Sequence, residues 1–266
     1  MSIRKWLFAG ALALSAAGFS SLASAEDKTI RLGVVSGPDA QIWEFVQKNA
    51  AEKGLKIELK EFADYVIPNE ALSSGDIDAN AFQHLPYLEA QIKSRGYKLV
   101  PVGLTYTAPI GFFSKKYKKW EDIPEGATIA IPNDPTNGGR SLLALQSNQV
   151  VKLADGVELT PGVLDIVENP KKFKFIEIDA AATPRALDDV DVAAVNNSFA
   201  VPAGLDLKNA LIREPADSPY ANIVAVQEKD KDAPWVKQMI EILQTPETAE
   251  FILETFKGST IPAWVK

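Results

Sequence analysis

No cysteine occurs anywhere in the 266 residues, and there is a single histidine, His84. The first absence excludes disulfides, thiolate metal centres and a cysteine nucleophile. The second excludes a histidine-rich metal site and leaves any serine–histidine–acid triad dependent on one imidazole, with no G-x-S-x-G elbow to present the serine. Phosphate loops are missing too, since Gly33 and Gly37 lack the dinucleotide-binding spacing. Positive charge is in deficit, with 28 Lys and Arg against 35 Asp and Glu for a formal −7, so nucleic acid is not an expected partner. No uninterrupted apolar run reaches membrane-spanning length. No catalytic residue, metal or cofactor is therefore expected, and binding without turnover is favoured. The 46% hydrophobic content is ample for the core of one large or two ordinary domains.

What is present begins with Arg4 and Lys5, an uncharged stretch from Trp6 to Ala17, and Ala23-Ser24-Ala25 ahead of Glu26. A basic start, an apolar middle and small residues at the cleavage positions make residues 1–25 a secretory signal peptide. With no cysteine to carry a lipid, the mature chain is expected to be periplasmic and soluble.

Residues 30–35, IRLGVV, read as a buried strand. Ile42, Phe45, Val46 and Ala50 then recur at helical spacing up to Gly54, and residues 57–62 form the next strand. Strand, helix, strand is the opening of a parallel α/β sheet. A loop from Asp64 enters a short helix ending near Gly75, residues 76–81 make a brief strand, 82–87 a loop and 88–95 a helix. Strands at 98–103 and 105–114 read as the crossing into a second lobe. There the spacing predicts helices near 161–167, 184–189 and 198–204, and strands at 173–178, 192–195 and near Leu211. Residues 222–226 return as a strand, and helices at 234–243 and 247–256 finish the chain on either side of Pro246.

The sharpest local signal is residues 129–143, IAIPNDPTNGGRSLL, in which a β-branched run ends at Pro132 and Gly138-Gly139 lead through Arg140 into a helix. The first turn of a helix has unpartnered N–H groups and the positive end of the dipole, and Arg140 adds a fork of donors shaped for a carboxylate. The alternative is an ordinary strand-to-helix loop with a surface arginine. Further polar or aromatic residues fall at strand ends: Tyr65, Phe82, His84, Tyr87, Asn137, Asn196 and Asn222. In open α/β sheets ligands sit in the crevice beside those ends. One cation, three amides, one imidazole and three aromatics suit a zwitterion with an apolar tail. Each also has a plainer account, the aromatics as core and Asn137 or Asn196 as helix caps.

The stretches DYVIPNEALSSGDIDANAFQHLPYL, IPNDPTNGGRSLLAL, GVLDIVENPKKFKFIE and SPYANIVAV resemble the periplasmic methionine-binding receptors of ABC importers, the NlpA-type lipoprotein family, over nearly all of the mature chain. The resemblance implies a type II periplasmic binding protein: two α/β lobes joined by two crossing strands, with a ligand cleft between them. The lobes would comprise residues 26–107 with 224–266, and residues 108–223. It also implies that Tyr65, Phe82 and Tyr87 wall a side-chain pocket beside His84, that Arg140 with Asn137 holds a carboxylate, and that Asn196 and Asn222 contact the polar end. The expected ligand is methionine, as the L or the D form, and the expected partners are a membrane permease and its ATPase, served by a monomeric receptor that closes on its ligand. A related amino-acid derivative or a methionine-containing dipeptide remains open, and an exported α/β hydrolase is a more distant alternative. Two departures stand out: the lipobox cysteine of the family is missing, and VNNSFA carries Asn197 and Phe199 where many relatives have threonine and tyrosine.

Overall fold

The computed structural model describes residues 28–215 and 218–265, so the signal-peptide segment lies outside the described residues. The chain runs β1 (Ile30–Val35), α1 (Pro38–Glu52), β2 (Ile57–Phe62), α2 (Ile67–Ser74), β3 (Ala79–His84), α3 (Leu85–Arg95) and β4 (Leu99–Leu104). It continues through β5 (Tyr106–Thr107), β6 (Gly111–Phe113), β7 (Thr128–Pro132), α4 (Pro135–Ser147), β8 (Lys152–Leu153), β9 (Ile166–Glu168) and β10 (Lys174–Ile178). It ends with α5 (Thr183–Ala186), β11 (Val192–Val195), α6 (Asn197–Ala200), β12 (Ile212–Arg213), β13 (Asn222–Gln227), α7 (Pro234–Leu243), α8 (Pro246–Phe256) and β14 (Ile261–Pro262).

Two five-stranded sheets form two lobes. The first has the order β2-β1-β3-β13-β4, with β1, β2 and β3 parallel and β13 antiparallel to both its neighbours. The second has the order β10-β7-β11-β6-β12, with β10, β7 and β11 parallel. The central strands are apolar because helices cover both faces. In the first lobe Ile30, Leu32 and Val34 pack with Trp43 of α1 and with Met239 and Ile252 of the last two helices, while Leu72, Leu88 and Ile223 fill a separate core. In the second lobe Ile129, Ile131 and Leu142 make one core and Ala130, Val195 and Leu187 another.

The chain crosses between lobes twice. One crossing runs from β4 through β5, which pairs with the C-terminal β14. The other links β12 to β13 and contains no strand among its described residues. β13 pairs with β3 from its first residue, Asn222 opposite His84, so the chain is already back in the first sheet there.

Several sequence expectations shift. Phe82 and His84 are not in a loop: β3 continues through His84, and α3 begins at once with His84 as its N-cap. The helix expected near 161–167 is a single 3-10 turn, Val163–Asp165, followed by β9, because Ile166–Glu168 pair with β8 instead. Most helices start earlier than their apolar repeat. Every described α-helix except α6 carries proline at its first or second position, where its fixed φ and missing N–H cost nothing.

Candidate functional site

α4 begins at Pro135 with Asp134 as its cap, so Asn137, Gly138, Gly139 and Arg140 lie inside the helix and not in the loop before it. The Asp134 carboxylate accepts from the backbone N–H of Asn137 at 2.8 Å and the Thr136 hydroxyl at 2.9 Å. The expected anion site on the first helical turn is thus occupied by the protein's own carboxylate, which answers the unpartnered donors and the dipole together. The two glycines serve close packing. A Cβ at Gly138 would stand 2.7 Å from the Pro132 carbonyl oxygen, and one at Gly139 would stand 2.8 Å from Thr160 Cα. That seating brings Arg140 to the inner wall of the second lobe.

Arg140 is buried, 4% exposed, and does not stand free. Its Nε donates to Glu214 at 2.9 and 3.0 Å, and its Nη2 donates to Glu214 Oε2 and, at 2.9 Å, to the Ala108 carbonyl. The ring of Tyr220 lies 4.6 Å from the guanidinium carbon. Among the described residues only Nη1 is left without an acceptor, so one arm of the fork is available to a ligand.

From the first lobe, Asp64 accepts from the backbone N–H groups of Val66 and Ile67 at 2.7 and 3.0 Å, a turn that holds Tyr65. The Tyr87 hydroxyl fixes the other end by donating to the Tyr65 carbonyl at 2.8 Å. The rings of Tyr65, Phe82 and Tyr87 then stand 5.8 to 6.2 Å apart in tilted or edge arrangements. Phe199 of α6 closes on Tyr65 at 4.7 Å from the opposite lobe. A buried amide network of Asn69, Asn80 and Gln83, with contacts of 2.7 to 2.9 Å, ties α2 to β3 and holds that strand in register behind the rings.

His84 joins the lobes. Its Nδ1 accepts from the Tyr87 backbone N–H at 3.1 Å, which puts the proton on Nε2, 3.3 Å from Asn137 Oδ1. Burial, and secondarily the Arg140 charge, push its pKa down to about 3, so the ring is neutral. Asn137 Oδ1 also accepts from Asn196 Nδ2 at 2.8 Å, and its own amide donates to both oxygens of Asp134. The amide of Asn137 is fully engaged, which makes it a positioning group for His84 and Asn196. Asn196 Oδ1, in contrast, is buried without a partner. A buried acceptor without a donor is costly, and it marks where a donor belongs.

All eight residues singled out from the sequence line a single cavity between the lobes: Tyr65, Phe82, His84, Tyr87, Asn137, Arg140, Asn196 and Asn222. Gln83, Tyr106, Ala108, Asn197 and Ser198 complete the wall; of these only Asn197, the departure in VNNSFA, stands out in the sequence. The lobes touch directly across it. Ser198 Oγ donates to Asp39 at 3.2 Å, and Asn197 Nδ2 to Thr260 at 3.0 Å. Asp39 is 1% exposed and also engages Tyr106 and Asn222, and burial pushes its carboxyl up to about 7.

Asp76 accepts from Ser74 at 2.7 Å, Asp78 pairs with Arg31 and Lys28, and the lysine run 115–119 is largely exposed. Among the described residues there is no cluster of side chains able to hold a metal ion and no helix long and apolar enough to cross a membrane.

Comparison with known proteins agrees with this architecture. The NlpA lipoprotein family model matches residues 30–264. The chain is 49% identical over 239 residues to the D-methionine-binding lipoprotein MetQ of Escherichia coli O157:H7, covering 88% of each chain. A nutrient binding protein from Burkholderia cenocepacia solved bound to methionine superposes with a TM-score of 0.87 at 52% identity, over 89% of this chain and 100% of that one. The crystal structure of the methionine binding protein MetQ gives 0.87 at 48% identity, over 90% and 99%.

Proposed function

The chain belongs to the NlpA lipoprotein family, and from that premise and the cavity chemistry we propose that it is an extracytoplasmic receptor that captures methionine for an ABC importer. One observation carries the reading. The cavity offers Nη1 of Arg140, free to donate, and Asn196 Oδ1, free to accept, beside a wall of aromatic rings. A carboxylate, an ammonium and an unbranched apolar tail match those three features in turn. A charge-assisted contact to the guanidinium is worth roughly 1.5 to 3 kcal/mol, and each sulfur–ring contact adds roughly 0.3 to 1.5 kcal/mol.

The mechanism is lobe closure. Tyr65, Phe82, Tyr87 and Asn222 come from one lobe, and Arg140, Asn196 and Ser198 from the other. A ligand that touches both stabilises the closed population and not the open one. The closed form then docks on a membrane permease, whose ATPase supplies the energy. Delivery in the periplasm is supported by the basic start, apolar middle and small residues of the first 25 positions.

Asn197, the departure in VNNSFA, spends its amide on Thr260 across the lobe boundary and so acts on closure more than on ligand choice. A hydrolase reading built on His84 as base is disfavoured, because His84 directs Nε2 at Asn137 and Nδ1 at a backbone N–H. The test is calorimetric titration with both methionine enantiomers, a panel of other amino acids and methionine-containing dipeptides. Saturable one-to-one heat with methionine is expected, and a flat trace with methionine alongside binding of another panel member would reassign the ligand.

A further inference from the structure

Arg140 and Glu214 are each buried to about 5% side-chain exposure and are joined by three hydrogen bonds, yet only Arg140 reaches the cavity. Glu214 is held on every side. Its oxygens also accept from the Ile110 backbone N–H at 3.2 Å and from the Ser218 hydroxyl at 2.9 Å, and its own backbone N–H donates to the Ile110 carbonyl at 3.0 Å. The carboxylate is therefore a fixed feature of the site.

Resting on the methionine reading, we propose that Glu214 is a specificity-determining residue that makes the cavity select net-neutral zwitterions and reject anions of the same shape. The reasoning is a count of charge among buried groups. Arg140 and Glu214 cancel, and His84, flanked by Asn137 and Tyr220, is neutral. Asp39, behind Tyr106, Ser198 and Asn222, adds negative charge and no positive charge. A zwitterion entering this site leaves its net charge unchanged. An anion lacking the ammonium buries an uncompensated charge against a guanidinium already neutralised, and such burial is strongly unfavourable. Removal of the Glu214 charge inverts the balance: the guanidinium then needs a net anion, and a zwitterion leaves it unmatched. Glu214 also fixes which arm of Arg140 faces the ligand, because Nε and Nη2 are turned away towards it.

The test compares calorimetric affinities of the wild type, Glu214→Gln and Glu214→Asp for methionine and for its hydroxy-acid analogue, an anion of nearly the same shape. In the wild type methionine is expected to bind far more tightly than the analogue. In Glu214→Gln the preference is expected to shrink by at least about tenfold, whereas Glu214→Asp, which keeps the charge, retains it. A purely structural role would weaken both ligands equally and leave the ratio unchanged, and that result overturns the proposal. Wild-type protein that binds the analogue as well as methionine overturns it even if neither variant folds. Failure of the underlying ligand assignment looks different, because the wild type would then bind neither compound.

Discussion

Asp39 ties ligand affinity to pH, and the size of the effect follows from its position. The carboxylate sits at the start of α1, is 1% exposed, and faces the hydroxyls of Tyr106 and Ser198 and the amide of Asn222. None of these partners is cationic, so burial dominates and raises the closed-state pKa to about 7. Ser198 belongs to the other lobe, and opening the cleft removes that contact and admits water, which returns the group towards the ordinary value of about 4. A pKa raised in the closed state means that closing takes up a proton. Affinity is therefore favoured at low pH, declines as pH rises through about 7, and levels out below about 4. Between about pH 8 and pH 6 the protonated fraction of the closed form changes enough to tighten methionine binding about tenfold, or about 1.4 kcal/mol. His84, with its pKa near 3, is silent in that window. The assay is calorimetric titration across this range for the wild type and Asp39→Asn, because the difference between the two profiles removes any titration of the ligand itself. A flat profile is expected for Asp39→Asn. Two parallel profiles would refute the reasoning, since Asp39 would then stay equally buried when the lobes part.

Arg140→Ala is expected to abolish measurable methionine binding and also to destabilise the fold by about 3 to 5 kcal/mol, because Glu214 is left buried and unpaired. Thermal denaturation checks this, and a melting temperature equal to wild type would count against the pair being buried in solution. Asn196→Ala is expected to weaken methionine by roughly 1.5 to 3 kcal/mol through loss of the acceptor for the ammonium. The same variant should leave affinity for the hydroxy-acid analogue much less affected in parallel titrations. Gly37 has φ +111°, and a Cβ there would stand 2.7 Å from the Ser198 carbonyl oxygen of the other lobe. Gly37→Ala should therefore lower affinity at least about tenfold, with backbone strain costing about 1 to 3 kcal/mol of stability. Scattering in the presence of ligand should show a more open average shape than wild type.

The parts of this fold that were legible in the sequence are those whose signal is local. α7 repeats apolar residues at Val236, Met239, Ile242 and Leu243, and its limits coincide with the sequence reading at 234–243. β1 and β11 are short apolar runs bounded by turn residues, and they too fall where expected. Apolar spacing alone places the start of α3 late, at 88 against Leu85. In α3 and α4 the proline of the first turn precedes the first buried residue and is the better signal. Phe82 and His84 lie in a strand because β3 is buried along its whole length, which leaves no alternation to read. All eight residues singled out for the cleft reach it, because strand ends and resemblance both mark that place. The partners that give those residues their chemistry did not show. Glu214 lies 74 positions from Arg140, and Ser198 lies 159 from Asp39. Folding of the second lobe brings the first pair together and closing of the two lobes the second, and no spacing in the chain records either.

The most direct measurement is a crystal structure of the protein grown with methionine carrying selenium in place of sulfur, using the anomalous signal to place that atom. The selenium is expected among Tyr65, Phe82 and Tyr87, with the carboxylate on Nη1 of Arg140 and the ammonium on Asn196. A selenium peak outside that ring of aromatics, or a ligand whose carboxylate lies away from Arg140, would contradict the account.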